Sequence, residues 1–288
     1  MTKARLAAIG VSLAALAFGA YRGFNPEPSL SFSVLEQIAY EIVLAPEALH
    51  PYRDRLGADL AVTAAGRPLL LLDDDVIEFN GRSDNAIGAA KVSTGVKARR
   101  FTVDQAGGVW VATDEALGRI EPGGFRPVVT LPMQWSDARL VVSDRQRTIF
   151  VYGGPHGPGE MRGGIVAVRA NGDTEFLVES PELPIVAVAA TPRGLVVATA
   201  RDILYLEQHD LHLVTRTNGD AKIVAVAYSA PSNTLFYSTA GAVYAMKGLA
   251  GVAIAQGLGG ELAYARGSLY VLDRVKAALV RLDGVDQL

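Results

Sequence analysis

The 288-residue chain contains no cysteine. That absence removes a disulfide framework, thiolate zinc sites, iron–sulfur ligation and a cysteine nucleophile together, and it suits an oxidising compartment. An excess of positive charge is also missing: 27 Lys and Arg stand against 30 Asp and Glu, a formal net charge of −3. Without a basic field there is little counterion release to gain from a phosphate backbone, so nucleic acid is not an expected partner. Histidine is scarce. His50, His156, His209 and His212 share no motif, and His209 and His212 lack the i, i+4 spacing of a helical metal pair. No Gly-x-Ser-x-Gly elbow supports a hydrolase serine. The pairs Gly163-Gly164 and Gly259-Gly260 lack the lysine and the strand-to-helix setting of a phosphate loop.

What is present begins at the amino terminus. Lys3 and Arg5 precede an apolar run over residues 6–21, which Arg22 closes. A charged segment followed by an apolar one is a membrane-targeting signal. The run is longer than the roughly 7–15 residues of a secretory apolar region and shorter than the 18 or so of a confident spanning helix. Bulky Tyr21 and Arg22 after Ala17-Phe18-Gly19 disfavour cleavage there, so the expectation is an uncleaved anchor over residues 1–23. Lys3 and Arg5 would stay in the cytoplasm, leaving the remainder facing a periplasm, a lumen or the exterior; a secreted chain is the alternative. Pro26 and Pro28 make residues 24–30 a stiff linker. The folded domain is expected over residues 31–288.

From residue 58 onward, short runs rich in Val, Leu, Ile, Phe and Tyr alternate with Gly, Asp, Asn and Pro, the grammar of strands and hairpins. One phrase recurs six times: an apolar strand, a turn and a second apolar strand. The second strands start at Leu69, Val109, Thr148, Leu195, Leu235 and Leu269, spaced 40, 39, 47, 40 and 34 residues apart. This is close to the period of roughly 40–50 that marks propeller blades. Third and fourth strands follow in most units, as at 117–120 with 125–130 and at 203–206 with 211–215. The fold class is therefore all-β, a six-bladed β-propeller preceded by a transmembrane or signal helix. The last unit runs out of chain after its third strand, which would expose an edge. Residues 31–44 are the candidate to supply that strand; their alternative is an amphipathic helix carrying Leu35, Ile38, Ala39 and Ile42 at helical spacing.

The segment Phe101-Thr102-Val103-Asp104-Gln105-Ala106-Gly107-Gly108-Val109-Trp110-Val111-Ala112, continuing to Leu117-Gly118-Arg119-Ile120-Glu121-Pro122-Gly123-Gly124, resembles a blade of the six-bladed NHL, regucalcin/gluconolactonase and strictosidine-synthase-like propellers. Weaker echoes extend the resemblance over residues 58–283. In members that hydrolyse lactones or esters, the resemblance implies Glu, Asn and Asp at the starts of the innermost strands, holding a divalent cation in the central channel. A hard cation such as Ca²⁺ needs several oxygen ligands. Counting back 10 or 11 residues from each second strand gives Asp59, Ala98-Arg99, Asp137, Pro184, Val224-Ala225 and Leu258-Gly259, only two of them carboxylates, with Arg99, Arg100, Arg139 and Lys222 nearby. A degenerate metal site follows, with no metal ligand assigned and no cofactor expected; calcium is the alternative.

Asp73-Asp74-Asp75 follows a second strand and reads as a solvated hairpin turn. Asn171-Gly172-Asp173 and Asn218-Gly219-Asp220 read as hairpin turns, because Asn-Gly adopts the positive φ that tight turns need. The Gly- and Pro-rich segment 153–164 lengthens the third unit, and insertions on a rigid scaffold often carry binding. The candidate binding set is Asp59, Arg100, Trp135, Asp137, Arg139, His156, Asp220 and Glu261, at the channel mouth and in that loop. The leading functional expectation is a binding or scaffolding module for a protein or a small-molecule ligand, with the membrane contacted through the N-terminal helix. A metal-dependent lactonase or esterase is the alternative, and a strictosidine-synthase-like enzyme using Glu261 or Glu182 in general acid–base work is a third.

Overall fold

The computed structural model describes residues 30–83, 86–92, 95–130, 138–153, 164–179, 183–217 and 220–288. The expected anchor over residues 1–23 lies outside them, and among the described residues no helix is long and apolar enough to cross a membrane.

Six antiparallel sheets form the compact unit Phe32–Leu288. Named from the inner strand outward, blade 1 consists of Leu56–Val62, Pro68–Leu72, Asp75–Ser83 and Ala86–Lys91, and blade 2 of Arg100–Val103, Val109–Ala112, Ala116–Glu121 and Gly124–Thr130. Blade 3 holds Arg139–Ser143, Thr148–Gly153, Gly164–Arg169 and Thr174–Glu179; blade 4 holds Ala187–Ala190, Leu195–Ala198, Asp202–Glu207 and Asp210–Arg216. Blade 5 is Ala225–Ser229, Thr234–Ser238, Ala242–Lys247 and Ala250–Gln256. Blade 6 draws only Glu261–Ala265, Ser268–Asp273 and Ala278–Asp283 from the carboxyl-terminal part of the chain. Each inner strand contacts the inner strands of the blades before and after it, and blade 6 contacts blade 1, so the ring is closed.

The second strands read as continuous apolar runs because both of their faces are buried, one against each neighbouring blade. Leu69 and Leu71 turn toward blade 2 and Leu70 toward blade 6; Ile149 and Val151 turn toward blade 2, Phe150 and Tyr152 toward blade 4. The core is accordingly divided into six clusters, one at each seam between blades.

The amino-terminal stretch closes the ring as a strand, and its helical alternative does not form. Ala39–Leu44 pairs antiparallel with Ala278–Asp283 as the outer strand of blade 6, with Tyr40 opposite Leu282 and Glu41 opposite Arg281. The Glu41 carboxylate also lies 2.8 Å from the Arg281 guanidinium. Ser33–Val34 adds a fifth strand to blade 5. The apolar positions at helical spacing serve the sheet because burying β edges against an existing blade outweighs a short isolated helix, which is marginal in water. One local feature was not foreseen: Pro46–Leu49 forms a helical turn and His50–Arg55 a 3₁₀ turn, leading from the outer strand of blade 6 to the inner strand of blade 1. At the other end of the chain Asp286 accepts hydrogen bonds from Ser229 and Ser232 of blade 5 and from Tyr264 of blade 6, at 2.6, 3.0 and 2.6 Å, pinning those blades together.

Leu44 is buried among Leu49, Leu56, Tyr270, Leu272 and Leu279. Truncating such a side chain leaves a cavity, so Leu44→Ala is expected to cost about 2–5 kcal/mol, measured by urea denaturation; a loss below about 0.5 kcal/mol would mean the closure strand contributes little to the ring.

Candidate functional site

Inner strands are edge strands, hydrogen-bonded on one side only, and together they surround a central cavity of about 700 Å³. Its wall runs from Asp59, Arg139 and Glu261 near the strand starts to Gln105, Arg145 and Pro192 in the turns after the strands.

At the strand starts the charged residues converge. Asp59 reaches the cavity through an irregularity in blade 1: between the pairs Leu56–Leu72 and Leu60–Leu70 the inner strand carries two residues more than its partner. Gly57 makes this possible, since a Cβ there would stand 2.8 Å from the Leu71 Cβ. The Asp59 carboxylate accepts the Phe101 N–H of blade 2 at 3.1 Å. Arg139 opens the inner strand of blade 3 and Glu261 that of blade 6, on opposite sides of the ring. Their side chains meet across the axis in a bidentate pair, Nη1 to Oε2 at 3.0 Å and Nη2 to Oε1 at 3.1 Å.

Asp59 and Glu261 are 8% and 7% exposed, so both are buried carboxylates. Burial is the largest influence on Asp59 and raises its carboxyl above the ordinary value, against the pull of Arg100, Arg139, the Phe101 N–H and Arg274. Burial likewise pushes Glu261 up while Arg139 pulls it down. For Arg139 burial works toward proton loss, but Glu261, Tyr152 and Asp59 more than offset it and hold the guanidinium above its usual value. Tyr152, at the second-strand position facing Arg139, is pushed up to about 12 by burial and stays a neutral phenol.

Of the eight candidates, Asp59, Arg139 and Glu261 line the cavity together, and Arg100 stands near enough to Asp59 to act on its charge. Trp135, Asp137 and His156 lie outside the described residues. Asp220 does not join the cavity: its side chain is fully exposed in the connection before blade 5 and pairs with Arg201 at 3.4 Å. Counting back from the second strands lands one to three residues early in most blades; the observed inner strands begin at Arg100, Arg139, Ala187, Ala225 and Glu261. The offset arises because the strand starts are fixed by pairing with the ends of the second strands, as Arg139 with Tyr152 and Glu261 with Leu272, while the hairpins differ in length. Tyr152 and Arg274 escaped sequence reasoning. Tyr152 left a signal, because Ala112, Ala198 and Ser238 occupy the equivalent position in blades 2, 4 and 5. The Asp73-Asp74-Asp75 turn is solvated as expected, with Arg55, Arg99 and Lys91 beside its three carboxylates.

The donor set does not suit a hard divalent cation. Ca²⁺ takes six to eight oxygens, whereas the described strand starts offer two carboxylates and hold the Arg139 guanidinium against one of them, Glu261. No cluster of three His, Cys, Asp or Glu among the described residues is arranged to hold a metal.

No family model matches the chain, and no curated protein matches it by sequence. Its architecture has many relatives among solved structures. A gluconolactonase from Xanthomonas campestris superposes with a TM-score of 0.58 at 12% identity, over 90% of this chain and 98% of that one. Regucalcin from Agrobacterium tumefaciens, a calcium-binding protein, gives 0.58 at 13% identity over 80% and 90%. Virginiamycin B lyase from Staphylococcus aureus gives 0.56 at 12% over 88% and 99%. The chain is thus a six-bladed propeller with the gluconolactonase and regucalcin-like fold, and at such identities the likeness is one of fold.

Two outcomes are expected from the site. Breaking a buried ion pair strands a charge, so Arg139→Met and Glu261→Met should each cost about 3–5 kcal/mol, while the double Met variant costs far less than their sum; additive losses in urea denaturation would show that the two do not act as a pair. Asp59 supplies a pH dependence. Its folded carboxyl holds a proton more tightly than the unfolded chain, which titrates near pH 3.9. The linked stability is full below that value and is lost as pH rises through the higher folded value. Asp59→Asn should therefore gain in melting temperature relative to the wild type from about pH 4 upward, and a pH-independent difference would contradict the buried carboxyl.

Proposed function

We propose that this chain is a metal-independent ligand-binding propeller, held outside the cytoplasm by its apolar amino terminus, with the central cavity as its binding site. The observation that carries the reading is the bidentate Arg139–Glu261 pair across the axis. A fixed guanidinium supplies positive charge where the resemblance calls for a bound cation, and it repels a second one. The cavity volume of about 700 Å³ falls in the range of small-molecule sites, which favours a small ligand over a protein surface.

The hydrolase reading draws support from the fold shared with gluconolactonase. It requires a cation that two carboxylates beside a guanidinium would hold poorly. Acid–base work by Glu261 would require breaking its contact with Arg139. Metal analysis of the purified chain, with a thermal melt in calcium, tests the proposal: substoichiometric metal and an unchanged melting temperature are expected, and one tightly held cation per chain would overturn it.

A further inference from the structure

Resting on the cavity as the ligand site, the distribution of charge around it defines what it should hold. Arg100, Arg139 and Arg274 act electrostatically on Asp59. Of these three, Arg139 is the cation that lines the cavity, beside two buried acids: Glu261, which pairs with it, and Asp59, whose carboxyl burial pushes toward the protonated, neutral form. Arg139 has five N–H donors. Glu261 takes two of them, and a quarter of the Arg139 side chain remains exposed on the cavity wall. Clamped by Glu261, the guanidinium is a planar donor set already fixed in orientation, which lowers the entropic cost of receiving an anion.

The wall contributed by blades 4 and 5 is of another kind. Over their first residues its inner strands read Ala187-Val188-Ala189-Ala190 and Ala225-Val226-Ala227, which line the cavity without a polar side chain, before Thr191 and Tyr228 bring hydroxyls to the wall toward the turns. Small side chains leave width there, and their methyl groups offer an apolar surface. One cavity therefore joins an oriented cation at one end to an aliphatic wall.

We propose that the central cavity binds a small amphiphilic monocarboxylate, whose carboxylate is received by the N–H groups of Arg139 that Glu261 leaves and whose apolar body lies against blades 4 and 5. The carboxylate would complete a Glu261–Arg139–ligand arrangement in which one guanidinium serves two anions. A cationic analogue would meet the Arg139 guanidinium head-on, and a neutral alcohol would forfeit the charge-assisted bonds.

Titration of the intact chain with 4-phenylbutanoate, 4-phenylbutanol and 4-phenylbutylamine by calorimetry separates these cases, since the three differ only in the head group. Binding of the carboxylate at least ten-fold tighter than either analogue is expected. Arg139→Gln with Glu261→Gln removes both charges, leaves no lone ion, and should weaken carboxylate binding at least ten-fold while keeping a cooperative melt. Glu261→Gln alone relieves the competition for Arg139 and should tighten binding, which a purely structural role for the pair would not produce. Equal binding of the amine or the alcohol, indifference of the double variant, or no heat from the carboxylate overturns the proposal. The last result without a bound metal leaves the metal-independent reading standing, whereas a stoichiometric cation defeats that reading by itself.

Discussion

A β-sheet has two edges whose backbone groups must find partners, and this constraint shapes the whole molecule. Six blades present six inner edges and six outer ones. The inner edges are gathered around one cavity, where polar side chains and solvent reach them. Two side chains of the site act in this way: Asp59 accepts the Phe101 N–H, and Tyr152 meets the backbone of Val188 in the next blade. The outer edges of blades 5 and 6 are covered by the amino-terminal strands Ser33–Val34 and Ala39–Leu44. Since Ala39–Leu44 lies beside the last strand of the chain, beginning and end share one sheet, and the seam between blades 6 and 1 contains residues from both.

The same geometry brings residues 122 positions apart in sequence into contact across the axis. Arg139 and Glu261 each open an inner strand, and strand starts on opposite blades face one another over the cavity. Burying two opposite charges is seldom a gain in stability over apolar packing, so the pair is better understood through what it holds in place. It fixes a guanidinium at the centre of a fold that elsewhere accommodates quite different chemistries, a gluconolactonase and a lyase among them.

The frame was legible in the sequence because it repeats. Second strands expected to start at Leu69, Val109, Thr148, Leu195, Leu235 and Leu269 start within one residue of those positions, and residues 31–44 do provide closing strands. Continuous apolar runs buried on both faces give a strong signal, and a fixed period gives it six times. The site was harder to read, since it consists of single residues on strands whose hairpins vary in length. A count from one end of a hairpin accumulates error at the other, so it points to Asp137 where the strand starts at Arg139. The two extra residues that carry Asp59 inward depend on Gly57 packing against Leu71, a contact between chain segments that no spacing reveals.

The frame is nearly six-fold, and its cavity is not. Blades 6, 1, 2 and 3 open their inner strands with or near Glu261, Asp59, Arg100 and Arg139, while blades 4 and 5 open with Ala187 and Ala225. Packing alone does not demand this division, because every seam has the same architecture and each is filled by a cluster of comparable residues. Charges confined to one arc would avoid the desolvation cost of burial if they were exposed on the rim; instead Arg139 and Glu261 are paired and oriented at the axis, across a cavity from strands that open with alanine. An arrangement that is costly for folding and polarised in space is what a site for a molecule with two unlike ends requires.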